Sequence, residues 1–491
     1  MRNLIRLIVC LLIVVGNISL VNANNGIGIY TENPRYWSWD GQPTLLIGGS
    51  VEDNLFQIAG LEAHLDLLVE SGGNYVRNTM SSRDPGDIWP FRKEYGRVGR
   101  LARDEPWWAR FTGRVSSLLP YSVGVYPRYD LNEENPEYWR RFEALLRLAS
   151  ERGIVVQIEL WDRFDYARDP WLLNPYNPAN NVNYTERESG LESRYPEHPG
   201  RNHNPFFRSI PELEDNALLL GYQLKQVDRM LSISLRHDNV LYTISNETNG
   251  DPAWSAYWAR HIRTRAAEQG VTVYLTEMWD ARDLSDPMHN HTFDHPELYD
   301  YMDVSQNNHQ VGQQHWDNLY RQWQRVAERP RPLNNVKIYG ADGGRFATTD
   351  DAVERFWRSL LGGAGSVRFH RPEQNFGLGL GALAQKQIRS ARMLSAELNW
   401  MAMEPRLDLL SDLDANEAFL MAEPGRQYLL FFTGGGEVTL RASGEGPLRG
   451  RWLRPDTAQW AGESRFAAGS EIRISAPTDG RWLLMLKTDS L

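Results

Sequence analysis

The chain has a single cysteine in 491 residues, Cys10, so no disulfide can staple it internally. It has no excess of positive charge: the formal net charge is −10 at pH 7, which argues against nucleic acid or any other polyanion as a partner held by bulk charge. It also has no apolar run long enough to cross a bilayer, so no membrane span is expected. The apolar stretch from Leu7 to Val15 follows Arg2 and Arg6 and exits at Val21-Asn22-Ala23, the charged start, short apolar centre and small-residue end of a secretory signal. Cys10 lies inside it, so a signal over residues 1–23 leaves a cysteine-free mature chain, expected in the periplasm or outside the cell. A secreted chain without disulfides is stabilised by its core alone, which favours one large core over small stapled modules. A hydrophobic content of 41% with 24% charged residues excludes disorder and fibrous architectures.

What the sequence does contain is an alternation. From residue 44 onward, short β-branched runs, polar or aromatic loops and helical patterns follow one another, as in βα units. Strands are expected at Thr44 to Gly49, Asn74 to Asn78, Ile154 to Leu160, Val240 to Ser245, Val271 to Thr276, Met302 to Gln306, Val336 to Gly340 and Ser366 to Phe369. Eight such strands predict a (β/α)8 barrel of the α/β class. The clearest helix opens at Asn135-Pro136, carries Tyr138, Phe142, Leu145, Leu146 and Ala149 on one face, and closes at Gly153. Two connections, Met80 to Asn135 and Trp161 to Asn216, are far longer than a compact domain needs. Both leave the C-terminal ends of strands, where barrel enzymes build their sites. After about Glu404 short alternating runs take over, with turns at Pro424-Gly425, Gly434-Gly435-Gly436 and Asp479-Gly480. The expected organisation is a signal over 1–23, a barrel over 24–403 and a small all-β, sandwich-like domain over 404–491. A hairpin over Ile29 to Gly41 either plugs the barrel floor or touches the β domain.

The strongest local signal is the apolar strand from Val240 that ends in Asn246-Glu247. A carboxyl group at the C-terminal end of barrel strand four points into the shared site, and an adjacent Asn can hydrogen-bond a sugar hydroxyl. The acid paired with it is Asp342, which follows strand seven in Lys337-Ile338-Tyr339-Gly340-Ala341-Asp342. Strands four and seven face each other across a barrel mouth, so the two carboxyl groups can flank one glycosidic bond. The bland alternatives are a buried structural acid for Glu247 and a turn residue for Asp342. Glu277, ending strand five, is the reserve second carboxylate. Trp161 and Trp279 fall near strand ends, where aromatic faces stack on sugar rings, although burial in the core competes with that role for any one Trp. Arg83, Arg163, Arg282, Arg345 and Arg371 lie near strand ends too, and a forked guanidinium suits a carboxylate or sulfate on a sugar. His309 follows strand six, and Asp53, Asn78 and His370 complete the substrate-binding set.

His289, His291, Asp294 and His295 form the one cluster with metal-ligand spacing. They sit in a Pro-flanked stretch between strands, so a structural or substrate-contacting role fits better and no metal is expected. Gly377-Leu378-Gly379-Leu380-Gly381 misses the dinucleotide spacing, and no cofactor is expected.

The Asn246-Glu247 pair, Asn74-Tyr75-Val76-Arg77-Asn78, and Asn33-Pro34-Arg35-Tyr36 with Asp40-Gly41-Gln42-Pro43 leading into Leu46-Ile47-Gly48-Gly49 resemble the clan A glycoside hydrolases, and more narrowly the apiosidase-like barrels. Arg451-Trp452-Leu453-Arg454-Pro455 and Gly480-Arg481-Trp482-Leu483-Leu484-Met485 are similar to the collagen-binding-type β domain that follows such barrels. The resemblance implies that Glu247 is the acid/base, Asn246 binds the sugar, Arg77 steadies the nucleophile and Asp342 holds the nucleophile position. It implies a polysaccharide or oligosaccharide substrate cleaved with retention of configuration. Clan members usually carry Glu on strand seven, and the shorter Asp342 would lengthen the carboxyl separation toward the inverting range. The rival expectation is a non-catalytic carbohydrate-binding protein on a degenerate barrel.

Overall fold

A computed structural model describes residues 26–94, 128–201, 203–341, 344–443, 446–467 and 471–488. The signal segment and the tip of the first long connection, with Trp107 and Trp108, lie outside the described residues, as does Asp342.

Eight parallel strands, Leu46–Gly49, Tyr75–Thr79, Val155–Asp162, Val240–Asn246, Leu275–Thr276, Met302–Asp303, Leu333–Ile338 and Ser366–Phe369, follow one another around a barrel in chain order. Strand eight pairs with strand one, so the sheet is closed except between strands five and six. That seam is bridged by the Asp300 N–H donating to the Leu275 carbonyl at 2.8 Å. Strands five and six are shorter than expected. The Asp303 carboxylate accepts from the Ser305 N–H and hydroxyl, both at 2.9 Å, and so turns the chain into the 3-10 segment Ser305–His309. The helix Pro136–Ser150 begins as its sequence predicts, with the Asn135 side chain accepting from Glu137 N–H and Pro136 in the first turn.

The N-terminal segment forms three antiparallel strands, Ile27–Ile29, Trp37–Trp39 and Gln42–Thr44. Trp37 inserts into the barrel floor edge-on to Tyr274 and Tyr301, and its indole N–H donates to Asn334 Oδ1 at 3.1 Å. Of the two expected positions for this hairpin, the floor is the observed one.

Residues from Glu404 onward form a six-stranded and a three-stranded antiparallel sheet. In the strands Ala418–Glu423, Gln427–Phe432 and Trp482–Thr488, Phe419, Met421, Leu429, Phe431, Leu483 and Met485 join the barrel's core. The alternate residues Leu420, Leu430, Phe432, Leu484 and Leu486 build a second core toward the smaller sheet. Both faces are therefore covered, which is why these strands read as continuous apolar runs. Trp316 and Trp357, from barrel helices, meet Phe419 and Phe431 at ring distances of 4.9 and 5.9 Å. The strand Gln459–Phe466 escapes the sequence reading because it is a largely exposed edge without apolar alternation.

Candidate active site

The C-terminal mouth of the barrel opens into a cavity of about 630 Å³, within the range of small-ligand sites. Glu247 lies in its wall directly after strand four. Its φ of +47° places it in the left-handed region, which costs a non-glycine residue roughly 1–3 kcal/mol and is found disproportionately at active sites. The residue that reaches it across the mouth is Lys337. The buried Nζ donates to Asn246 Oδ1 and to Glu247 Oε1, both at 2.5 Å.

Lys337 reaches that position through a β-bulge. The register of strand seven shifts between Asn335 and Ile338. Before the shift the even residues Asn334 and Val336 face the barrel interior; after it Ile338 packs outward, and Lys337 and Tyr339 turn into the cavity. Burial alone would raise the Glu247 carboxyl, but the Lys337 ammonium outweighs it and holds the group at about 2. Glu247 is thus an anion across the working pH range.

Beneath it Arg77 is fully buried. It grips Glu159 through Nε and Nη2 at 2.6 and 2.7 Å and pairs with Asp53 at 2.8 Å. Asp53 also meets Arg368 at 3.2 Å and His370 at 3.5 Å. Burial would raise this carboxyl too, yet the cations hold it well below the ordinary carboxylate range. Asp280, the third carboxylate described in the cavity wall, is pushed up to about 6, first by burial and then by the charge of Glu247.

The wall is otherwise cationic and aromatic. Arg83, Arg201, Arg282, Arg345 and Arg371 line it with Lys337, against three described carboxylates, in a chain whose net charge is −10. Arg83 is tied to Asp162 and Asp165, and Arg371 to Glu52 and Asp84. Arg201, Arg282 and Arg345 are exposed and have no carboxylate within 4.0 Å among the described residues. Tyr339 stacks on Phe346 at 4.1 Å, and Phe376 continues that wall with 41% of its surface exposed. His309 packs on Phe346 at 5.1 Å; burial, with Arg282 and Arg345, lowers it to about 4, so it is neutral at pH 7.

Of the residues singled out from sequence, Glu247, Asn246, Asp53, His309, Arg345 and His370 line one cavity. Arg77 lies beneath it and reaches the site through Asp53. Others are placed away from the cavity wall. Trp161 is buried against Phe206 and Trp258, each at 5.4 Å, and Trp279 donates its indole N–H to Thr292 Oγ1 at 2.5 Å in the core. The expected sugar contact of these two indoles is thus replaced by core packing. Asn78 is buried, its Oδ1 accepting from Phe56 N–H at 3.1 Å. Glu277 is enclosed as well, accepting from the N–H groups of Ser245 and Met278 and from the Ser255 hydroxyl. Arg163 is buried under Phe207 with its Nη1 on Thr248 Oγ1 at 3.1 Å. His289 turns to the Ala281 carbonyl and His295 to Glu297. No group of three His, Cys, Asp or Glu among the described residues is arranged to hold a metal ion.

Sequence reasoning gave no site role to Lys337, Asp280, Arg201 or Phe376. Asp280 stood only three residues beyond Glu277, and that proximity was the one available signal.

No family model matches the chain, and no curated protein matches its sequence. Its structure is similar to a family 5 glycoside hydrolase from Bacteroides vulgatus ATCC 8482, with a TM-score of 0.59, 12% identity, and 95% of each chain covered. It is also similar to AmyB, a maltogenic alpha-amylase from Thermotoga neapolitana, with a TM-score of 0.52, 12% identity, and 90% of this chain and 98% of that one covered. At such identities the likeness is one of fold: a (β/α)8 barrel joined to a β domain.

Proposed function

We propose that the chain is a secreted glycoside hydrolase that cuts an acidic glycan, one carrying uronate carboxyls or sulfates, with Glu247 as a catalytic carboxylate. The observation that carries this reading is the cavity at the barrel mouth. An ionised Glu247 beside Asn246 shares the cavity with Arg201, Arg282 and Arg345, which have no carboxylate within 4.0 Å among the described residues, and forked guanidinium groups bind carboxylate and sulfate oxygens in pairs. Phe376 offers an exposed face for a sugar ring at the rim. The charged and apolar segment at residues 1–23 supports export. The resemblance to apiosidase-like barrels, with Asp342 as partner carboxylate and retention of configuration, belongs to the same proposal and rests on the motifs alone.

One observation favours the rival, a carbohydrate-binding protein on the same barrel: Lys337 occupies an oxygen of Glu247. Release of reducing ends from polygalacturonate, alginate, chondroitin sulfate and ulvan, beside neutral xylan and glucomannan, separates the two. The enzyme releases product from an acidic polymer. Glu247→Gln loses at least about a hundredfold in rate, and Arg282→Gln and Arg345→Gln each lose about tenfold or more in kcat/KM together with part of its salt dependence. Calorimetric binding of a polymer with no product overturns hydrolysis in favour of binding. An unsaturated product overturns it in favour of elimination.

A further inference from the structure

One side chain holds both residues of the Asn246-Glu247 pair. Lys337 Nζ stands 2.5 Å from Asn246 Oδ1 and 2.5 Å from Glu247 Oε1, and the lysine is 2% exposed. It pairs with no other carboxylate among the described residues. An ammonium group has three N–H donors and no acceptor. Only the carbonyl oxygen of the Asn246 amide can meet it at that distance, because the amide NH2 would set donor against donor. The orientation of this amide, which bond lengths by themselves do not decide, is therefore fixed by the lysine's charge. The oxygen turns to Lys337, and the NH2, which donates to no group among the described residues, is left to the cavity that Asn246 lines.

The backbone on both sides of the mouth is set for this contact. Asn246 ends strand four in register with Asp162 of strand three, and the left-handed φ of +47° at Glu247 turns the chain directly after it. Lys337 arrives from strand seven through the register shift between Asn335 and Ile338. Three strands and a bulge thus converge on one ammonium group that is almost closed to solvent.

We propose that Lys337 is a positioning residue that holds Asn246 as a hydrogen-bond donor toward the substrate and fixes the Glu247 carboxyl beside it. This rests on the hydrolase reading above and keeps for Glu247 the acid/base role that its motif implies. Oε1 is taken by the ammonium, so Oε2 is the oxygen that meets the glycosidic bond. The substrate group at Asn246 must be an acceptor, the oxygen of a ring hydroxyl or of a uronate or sulfate. A contact of this kind that strengthens as the sugar approaches its transition state acts on kcat more than on KM.

The test compares wild type, Asn246→Asp, Asn246→Ala, Lys337→Met, Lys337→Arg and the double variant Asn246→Ala with Lys337→Met on the polysaccharide that wild type cuts, each shown to be folded by circular dichroism at the assay temperature. In Asn246→Asp the carboxylate still accepts from Lys337, but the oxygen on the cavity side cannot donate, and kcat/KM should fall at least about tenfold. Lys337→Met should also lose at least about tenfold, with the larger share of the loss in kcat. Lys337→Arg, which still donates to both oxygens, should recover part of it. Because the lysine acts in part through the amide, the double variant should lose about tenfold less than the product of the two single losses. Lys337→Gln takes the place of Lys337→Met in this cycle if that variant does not fold. Losses that multiply in the double variant, an Asn246→Asp as active as wild type, or a Lys337→Arg no better than Lys337→Met overturn the proposal while the hydrolase reading stands. A wild type that binds a polymer without cutting it overturns the hydrolase reading; the same cycle is then read in calorimetric Kd, and losses that multiply there overturn the positioning role as well. A wild type that neither cuts nor binds a polymer overturns both.

Discussion

Replacing Lys337 with methionine keeps most of the side-chain volume and removes the ammonium that holds Glu247. The Lys337 side chain is 2% exposed and that of Glu247 18%, with 2.5 Å between Nζ and Oε1, so the pair is little screened by solvent. The Glu247 carboxyl is depressed from 4.5 to about 2. A depressed acid stabilises the fold fully above its unfolded pKa, and that contribution is lost as pH falls through the folded value. That depression corresponds to about 3 kcal/mol, in line with the roughly 3–5 kcal/mol lost when one partner of a buried pair is removed.

In Lys337→Met burial is opposed only by the Gln306 hydrogen bond and the Arg77 charge, and the Glu247 carboxyl rises from its depressed value. The variant should therefore be about 3–5 kcal/mol less stable than wild type at pH 7. That deficit should shrink by about 1.4 kcal/mol per pH unit as pH falls from the raised pKa toward 2. Urea unfolding followed by tryptophan fluorescence at pH 7 and pH 4 measures both numbers. A deficit of the same size at both pH values would show that Lys337 acts by packing and that Glu247 does not depend on its charge.

Glu277→Gln should keep activity, because the side chain is enclosed away from the cavity and the amide oxygen can still accept from the Ser245 and Met278 N–H groups. Burial raises Glu277 from 4.5 to about 8, so wild type loses stability as pH rises between those values; the variant's relative stability should climb over that window, and melting curves with a constant difference at pH 5 and pH 8 would refute it. Trp161→Ala should cost about 3–5 kcal/mol with KM unchanged. Phe376→Ala, at a rim residue 41% exposed, should leave stability within about 0.5 kcal/mol and raise KM. The opposite pattern in thermal melts and kinetics would interchange their roles.

The barrel was legible because strands such as Val240–Asn246 are short apolar runs and helices such as Pro136–Ser150 and Thr349–Leu361 carry their own caps, and such local patterns are written in consecutive residues. Glu247 was legible for the same reason: position at the end of a recognisable strand is a local property. Lys337 was not. Its role depends on a register shift between Asn335 and Ile338, which inverts the inward parity halfway along strand seven, and on an ion pair that spans 90 residues. Straight alternation, extended from Asn334 and Val336, would have sent Ile338 into the mouth and Lys337 out of it. The tryptophans took the second of their two readings, burial in the core. Composition marks Trp161 and Trp279 as candidates for sugar stacking, but the long third connection folds back with Tyr166 and Phe206 and encloses Trp161 in an aromatic layer that only the tertiary structure creates. Charge was legible by position and not by sum. A net charge of −10 gives no hint of a cationic cavity, but Arg282 and Arg345 stand near strand ends in the sequence, and the loops after strands five and seven bring them to one rim. Bulk charge governs association at long range, whereas the sign at the mouth decides which substrate is stabilised there, and that sign is opposite to the charge of the chain as a whole.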